Sequence, residues 1–187
     1  LPIALLLFAA FILANKVALW SHFRILEVSE FIDQNYVQPR NITAPKNKKN
    51  LVLIYVESLE DGYSRSDLMG EDLLAPLNSV TKNAYRFQNY KQTYGTGWTI
   101  AGIVSTQCGI PLKSHTIFDG NVQGEKVKSF LPNATCLGDI LKAKGYKNVF
   151  LGGASLYFAG KGKFFSQHGY SELYGKEEWS GIGKDGF

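Results

Sequence analysis

The sequence predicts an α/β fold, a parallel sheet layered with helices and preceded by an apolar N-terminal helix. Three observations carry this. Leu51-Val-Leu-Ile-Tyr-Val56 is a continuous apolar run rich in β-branched residues, the pattern of a strand covered on both faces. Strand-like and helix-like segments then alternate to the end of the chain, the order of a layered α/β domain. The chain opens on LPIALLLFAAFILA, fourteen residues without a charge.

That opening run is shorter than the roughly twenty residues a membrane span needs. The chain begins at Leu1 rather than Met and stops at Gly186-Phe187 behind a glycine-rich run. It is therefore expected to be a piece of a longer protein, with residues 1–20 as the C-terminal part of a span. A signal peptide would need a basic leader and a small-residue cleavage site, and neither is visible. A buried core helix is the remaining alternative. Trp20 and His22 fall where amphipathic rings gather at a membrane interface. Lys16, Arg24, Arg40 and Lys46 to Lys49 follow the run. Large domains cross membranes largely regardless of such charges, so they do not fix orientation.

Residues 21–36 space Phe23, Ile25, Leu26, Val28, Phe31 and Ile32 for an amphipathic helix along a membrane surface. Residues 37–50 hold Pro39, Pro45, three Asn and four Lys/Arg, a polar linker. The interfacial helix and linker together occupy 21–50, and a folded domain occupies 51–187. After the strand at 51–56, a helix is predicted over 77–85 behind Pro76 and a short strand over 86–90. Thr99 to Thr106 reads as a helix after a glycine turn. Residues 136–144 form an amphipathic helix with Gly145 as its stop. Asn148 to Leu151 is a buried strand ended by Gly152-Gly153. Residues 163–168 form a short helix closed by Gly169.

The chain has 187 residues, enough for one domain with a core. Twelve Phe, ten Tyr and three Trp against 19% charged residues exclude a disordered chain. A net charge of +4 without a dense basic block gives no basis for nucleic-acid binding. Cys108 and Cys136 are an even pair. In an exported domain they suggest one disulfide; two buried free thiols are the alternative.

Glu57 follows the 51–56 run directly, at the carboxyl end of the predicted strand, where open α/β sheets bind ligands. A carboxylate there suits a hard cation, although Glu60 and Asp61 close by also fit a solvated loop. Thr99 follows Gly95-Thr-Gly97. Free N–H groups at a helix start favour a phosphate, and a threonine hydroxyl becomes a nucleophile once a base or metal activates it. The plainer role is a helix cap, and Thr96 is a competing hydroxyl. No Gly-Lys-Ser/Thr follows, which excludes a Walker loop. The third cluster, Gly152 to Lys161, ends the 148–151 strand. There Lys161 could meet a phosphate and Phe158 could pack on a lipid or sugar, or the stretch is an ordinary loop with a solvated lysine. His115 and His168 are isolated and read as helix-end residues rather than ligands.

LVLIYVESLE and YGTGWTIAGIVSTQCGIPL closely resemble the phosphoglycerol transferase I family, membrane-anchored periplasmic enzymes of the alkaline phosphatase/sulfatase superfamily. CLGDILKAKGYKN, FAGKGKFFSQHGY and LYGKEE resemble it too, so the likeness runs from about residue 50 to 178. It implies an alkaline phosphatase/sulfatase-like layered sheet, partial here. It implies transfer of phosphoglycerol from phosphatidylglycerol, the donor, to a periplasmic glucan, the acceptor, at the bacterial inner membrane. It implies a divalent metal (Mn, Mg or Zn) held by Glu57 and Thr99, with Thr99 as the nucleophile that carries the covalent intermediate. Sulfatases proper carry a Cys/Ser-x-Pro-x-Arg signature that this chain lacks, which disfavours sulfate ester hydrolysis. The family's further ligands, an Asp-His pair and a downstream His, have no counterpart here, so the chain alone is not expected to be a working catalyst. A lipoteichoic-acid-synthase-like or phosphoethanolamine transferase is the alternative within the class, and a non-catalytic membrane-anchored binding module the alternative outside it.

Overall fold

The computed structural model describes residues 2–16, 34–39, 41–87, 89–92, 96–112 and 120–179. The interfacial helix expected over 21–36, Trp20, His22, Gly95 and His115 fall wholly or mostly outside them. The chain divides into two compact units, Leu1–Thr43 with Tyr94–Phe187, and Ala44–Thr93.

Helix α1 spans Pro2–Lys16 and has no acidic residue in its first turn. Its apolar side chains, Leu5, Leu6, Leu7 and Phe8 among them, are exposed. Fifteen residues rise about 22 Å, short of the roughly 30 Å hydrocarbon layer. Among the described residues no helix is long and apolar enough to cross a membrane.

In the Ala44–Thr93 unit the expected strand over 51–56 does not form. These six residues carry no regular structure, and exposure reaches 78% at Val52. The physical reason is that a strand is a property of a pair. Among the described residues of this unit there is no second strand to supply a ladder, so apolar content alone cannot order the run. Nor is a strand present among the described residues of 86–90. What does form is local. A 3₁₀ turn covers Asp61–Ser64. Helix α2, Ser66–Met69, is closed by Gly70 at φ +81°. The Arg65 guanidinium pairs with Asp67 at 2.6 Å and holds that carboxyl below its usual range. Helix α3, Ala75–Val80, has proline in its first turn as expected. It ends earlier than residue 85, because Thr81 leaves helical geometry and its hydroxyl donates back to the Leu77 carbonyl at 2.8 Å.

The other unit holds the core. Helix α4, Thr99–Cys108, buries Ile100, Ile103, Val104, Gln107 and Cys108, a stripe at three- and four-residue spacing. Helix α5 covers Gly120–Lys126. Helix α6, Leu137–Ala143, starts at Cys136, whose N–H is received by Asp139 at 2.9 Å. Gly145 at φ +76° closes it while the Gly145 and Tyr146 N–H groups return to Lys142 and Leu141. Strand β1, Val149–Leu151, is followed by a 3₁₀ turn over Phe158–Gly160, helix α7, Lys161–Gln167, strand β2, Glu172–Tyr174, and helix α8, Lys176–Trp179.

β1 and β2 pair in parallel, with Phe150 opposite Leu173. The strand–helix–strand order is therefore a small parallel α/β unit. Lys147 and Glu172 pair beside the register at 2.5 Å, and Glu172 holds the lysine amine above its ordinary range. Below the sheet, Phe150 stacks on Phe165 at 4.1 Å, and Phe164 meets Phe130 edge-on at 5.5 Å. Two glycines let α6 touch the end of α7. A Cβ on Gly138 would stand 2.2 Å from the His168 carbonyl oxygen. The buried Asn148 amide donates to both the Gly138 and Gly169 carbonyls, at 2.8 and 2.9 Å. Cys108 and Cys136 form a disulfide, tying the last residue of α4 to the start of α6 and removing the free-thiol alternative.

Candidate functional site

Thr99 is the first residue of α4 and not its cap. The cap position belongs to Trp98, at φ −140° and ψ 156°, with no side-chain capping bond. Ile100 and Ala101, directly after it, are fully buried. The helix start is thus anchored in the core while Thr99 stays half-buried. Thr96, the competing hydroxyl, is buried to 4% exposure. Its carbonyl lies 3.7 Å from where a Cβ on Gly102 would stand, so the preceding chain folds back over the first turn of α4. Of the two hydroxyls, Thr99 is the more accessible.

Phe158 and Lys161 come together at a turn that packs on the same core. The turn between them holds Ala159 at φ +60° and Gly160 at φ +72°. Ala159 has a Cβ and still takes the left-handed region, at a cost of about 1–2 kcal/mol. Close packing against α5 holds it there: a Cβ on Gly160 would lie 2.3 Å from the Gly124 carbonyl oxygen. Lys161 is buried, at 5% exposure, so the solvated-lysine reading fails. Its Nζ lies 5.2 Å from the centre of the Phe158 ring, and a π face partly offsets the cost of removing an ammonium from water. The same turn packs against α4, so Thr99, Phe158 and Lys161 sit on elements that share one core.

Glu57 belongs to the Ala44–Thr93 unit. It is exposed in a turn, and Ser58 beside it stands at φ +60°. It does not end a formed strand, because none forms at 51–56. Three of the four candidates therefore lie on separate elements of one core, and Glu57 lies in the other unit.

His168 was expected as a helix-end residue, and its backbone is the C-cap of α7. Its ring does more. It is buried at 3% exposure, with Nδ1 2.9 Å from Asp139 Oδ2 and Nε2 2.8 Å from the Phe130 carbonyl oxygen. A carbonyl only accepts, so Nε2 donates to it. Asp139 Oδ2 also receives the Cys136 N–H. Cys136, Asp139 and His168 gather their ligand atoms within 4.8 Å, but the Cys136 sulfur is spent in the disulfide and both ring nitrogens are engaged. This is a structural node beside an open cleft of about 400 Å³. Sequence gave one signal for it, a carboxylate three residues into a helix. The partner 29 residues on left none.

Residues 49–182 match the Sulfatase family. The chain is 45% identical over 150 residues to phosphoglycerol transferase I of Escherichia fergusonii, covering 80% of this chain and 19% of that protein. It is 44% identical over the same length to phosphoglycerol transferase I of Escherichia coli O6:K15:H31 and of Shigella boydii serotype 18. The chain thus spans about a fifth of the length of the curated relatives it matches. No solved structure matches it.

Proposed function

This chain belongs to the sulfatase family, and from that premise we propose that it carries the nucleophile of a transferase moving phosphoglycerol from phosphatidylglycerol to a periplasmic glucan. The observation that carries this reading is the setting of Thr99. It opens α4 without capping it, on a helix fixed by fully buried neighbours, within the stretch similar to the phosphoglycerol transferases.

The chemistry follows from the residues. The Thr99 oxygen attacks phosphorus of the donor phosphodiester, and the bond from phosphorus to the diacylglycerol oxygen breaks. The leaving oxygen takes a proton and departs as diacylglycerol. Phosphoglycerol remains esterified to Thr99 until a glucan hydroxyl attacks the same phosphorus and frees the threonine. Phe158, 40% exposed, offers apolar surface to acyl or sugar carbons, and Lys161, buried behind that ring, is assigned to an anionic donor only as a charge beneath the surface and not as an open contact. Glu57 and Thr99 are hard oxygen donors, the chemistry that suits a divalent Mn, Mg or Zn ion. Such an ion, when bound, lowers the pKa of a coordinated hydroxyl and polarises the phosphoryl oxygens.

The apolar side chains of α1 support its place as the C-terminal part of a membrane span. Residues 1–20 then anchor, 21–50 link along the surface, and 51–187 begin the catalytic domain on the periplasmic side of a bacterial inner membrane.

In the intact protein, Thr99→Ala is expected to abolish diacylglycerol release from phosphatidylglycerol without changing the thermal unfolding midpoint. Mass spectrometry of the wild-type protein with donor should place a phosphoglycerol adduct on Thr99. An adduct on Thr96, or normal turnover by the variant, overturns the assignment.

A further inference from the structure

We propose that Tyr174 and Trp179 form an aromatic platform that binds a neutral glycan at the carboxyl edge of the β1–β2 sheet. Only the role of that glycan, as the phosphoglycerol acceptor, rests on the transferase reading above.

β1 and β2 run parallel and end together, Leu151 opposite Tyr174. Open parallel sheets bind ligands outside this edge, where the loops leave the strands. Here the two loops are fastened to each other through their backbones. The Gly152 N–H donates to the Tyr174 carbonyl at 2.8 Å, and the Lys176 N–H to the Ala154 carbonyl at 3.3 Å. Gly175 fits between them because it lacks a side chain: a Cβ there would stand 2.9 Å from the Leu156 nitrogen. Its N–H donates to Glu178 Oε2 at 2.8 Å.

The rings stand on this base. Trp179 Nε1 donates to the Gly152 carbonyl at 3.1 Å, which fixes the indole against the first residue past β1. The Trp179 backbone N–H donates to the Gly175 carbonyl at 3.1 Å. The Tyr174 ring centre lies 5.6 Å from the indole, with the planes 32° apart. Trp179 still keeps 37% of its surface exposed. A Cβ on Gly153, in the adjoining loop, would meet nothing within 4 Å, so the approach is open there.

The chemistry around the rings selects the ligand. An indole already held in place loses little freedom when something packs on it. Its apolar face suits the C–H face of a sugar ring, whose hydroxyls stay in contact with water and the polar rim. Helix α8 carries Lys176 against Glu177 and Glu178, a net acidic edge. Like charge across a contact disfavours a nucleotide or a phospholipid headgroup. An acyl chain would need an enclosed apolar groove, and this edge is rimmed by exposed charged side chains. A neutral, hydroxyl-rich ring is the ligand that fits.

The test titrates the intact protein calorimetrically with neutral linear glucose hexaoses of differing linkage, and with adenosine monophosphate as an anionic stacking ligand. Wild type should bind at least one hexaose, more tightly than the nucleotide, with saturation transfer falling on the sugar C–H protons. Trp179→Ala should weaken that affinity about tenfold, and Trp179→Phe, which keeps a ring, about threefold. Tyr174→Leu should weaken it as well, and decides the matter if Trp179→Ala does not fold. No binding of any hexaose by wild type, tighter binding of the nucleotide, or unchanged affinity in either Trp179→Ala or Tyr174→Leu overturns the platform. With phosphatidylglycerol as donor, Trp179→Ala should raise KM for the bound hexaose about tenfold at a kcat within about twofold of wild type. A hexaose that binds at these rings but never accepts phosphoglycerol upholds the platform and counts against the transferase reading alone.

Discussion

Thr96 and Thr99 stand three residues apart with the same hydroxyl and opposite surroundings. Thr96 is buried under the fold-back onto α4, and Thr99 opens the helix half-buried. Spacing shows a hydroxyl near a glycine turn. It cannot show which of two threonines the backbone covers, because that depends on the small side of α4 at Gly102. Lys161 makes the same point. A lysine after a glycine reads as solvated, and only the packing of α5 on the 158–160 turn buries it. His168 also belongs to this scale. Replacing it by Ala strips the Phe130 carbonyl of its donor and Asp139 of one partner. Leaving such groups unmet costs on the order of 1–3 kcal/mol. Thermal unfolding of the intact protein should show a lowered midpoint with Thr99 chemistry retained. An unchanged midpoint would mean that water replaces the ring at no cost.

Among the elements, those legible in the sequence are those whose signals are local. α4, α6 and α7 each combine an apolar stripe with a glycine at or just past the end, and Gly109, Gly145 and Gly169 all take positive φ. β1 was legible in place because a glycine pair stops it, but it is not the buried strand its composition suggests, since Val149 and Leu151 are exposed and only Phe150 turns toward the core. β2, three residues long and half-buried throughout, shows no alternation, and α2 and α8 span one turn each. Packing decides such pieces, and composition does not. The run at 51–56 fails in the other direction. Its composition is that of a strand, but ladders need partners. The disulfide is the strongest constraint linking elements. Cys108→Ser with Cys136→Ser opens a loop of 28 positions and should cost about 3–4 kcal/mol. Non-reducing peptide mapping of native protein checks the bridge first. Two alkylatable thiols there would remove both the bridge and its support for export. Gly138→Ala tests the α6–α7 contact, since its Cβ would collide with backbone. Overpacking of this kind costs about 1–3 kcal/mol, and a variant as stable as wild type would show that the two helices separate easily.

At the scale of the molecule, two compact units and a chain spanning about a fifth of its relatives' length bear on how much chemistry these residues support alone. Glu57 and Thr99 offer two hard donors, whereas a cation bound mainly by protein groups usually takes three or more. Among the described residues, the other ligand-like cluster, at Cys136, Asp139 and His168, is consumed by the disulfide and by internal hydrogen bonds. The isolated 187-residue chain should therefore bind Mn, Mg or Zn weakly and release no diacylglycerol. Its exposed apolar run from Leu51 to Val56 should also make it self-associate, because contiguous apolar surface on a soluble unit seeks cover. Val52→Lys with Ile54→Lys tests that cause directly, by replacing the two most exposed side chains of the run with charges. Calorimetric metal titration and size-exclusion chromatography in detergent measure the two properties separately. Tight binding with metal-dependent turnover would place the complete site within this chain. A wild-type chain that elutes as the Lys-substituted chain does would show that the 51–56 run does not drive association.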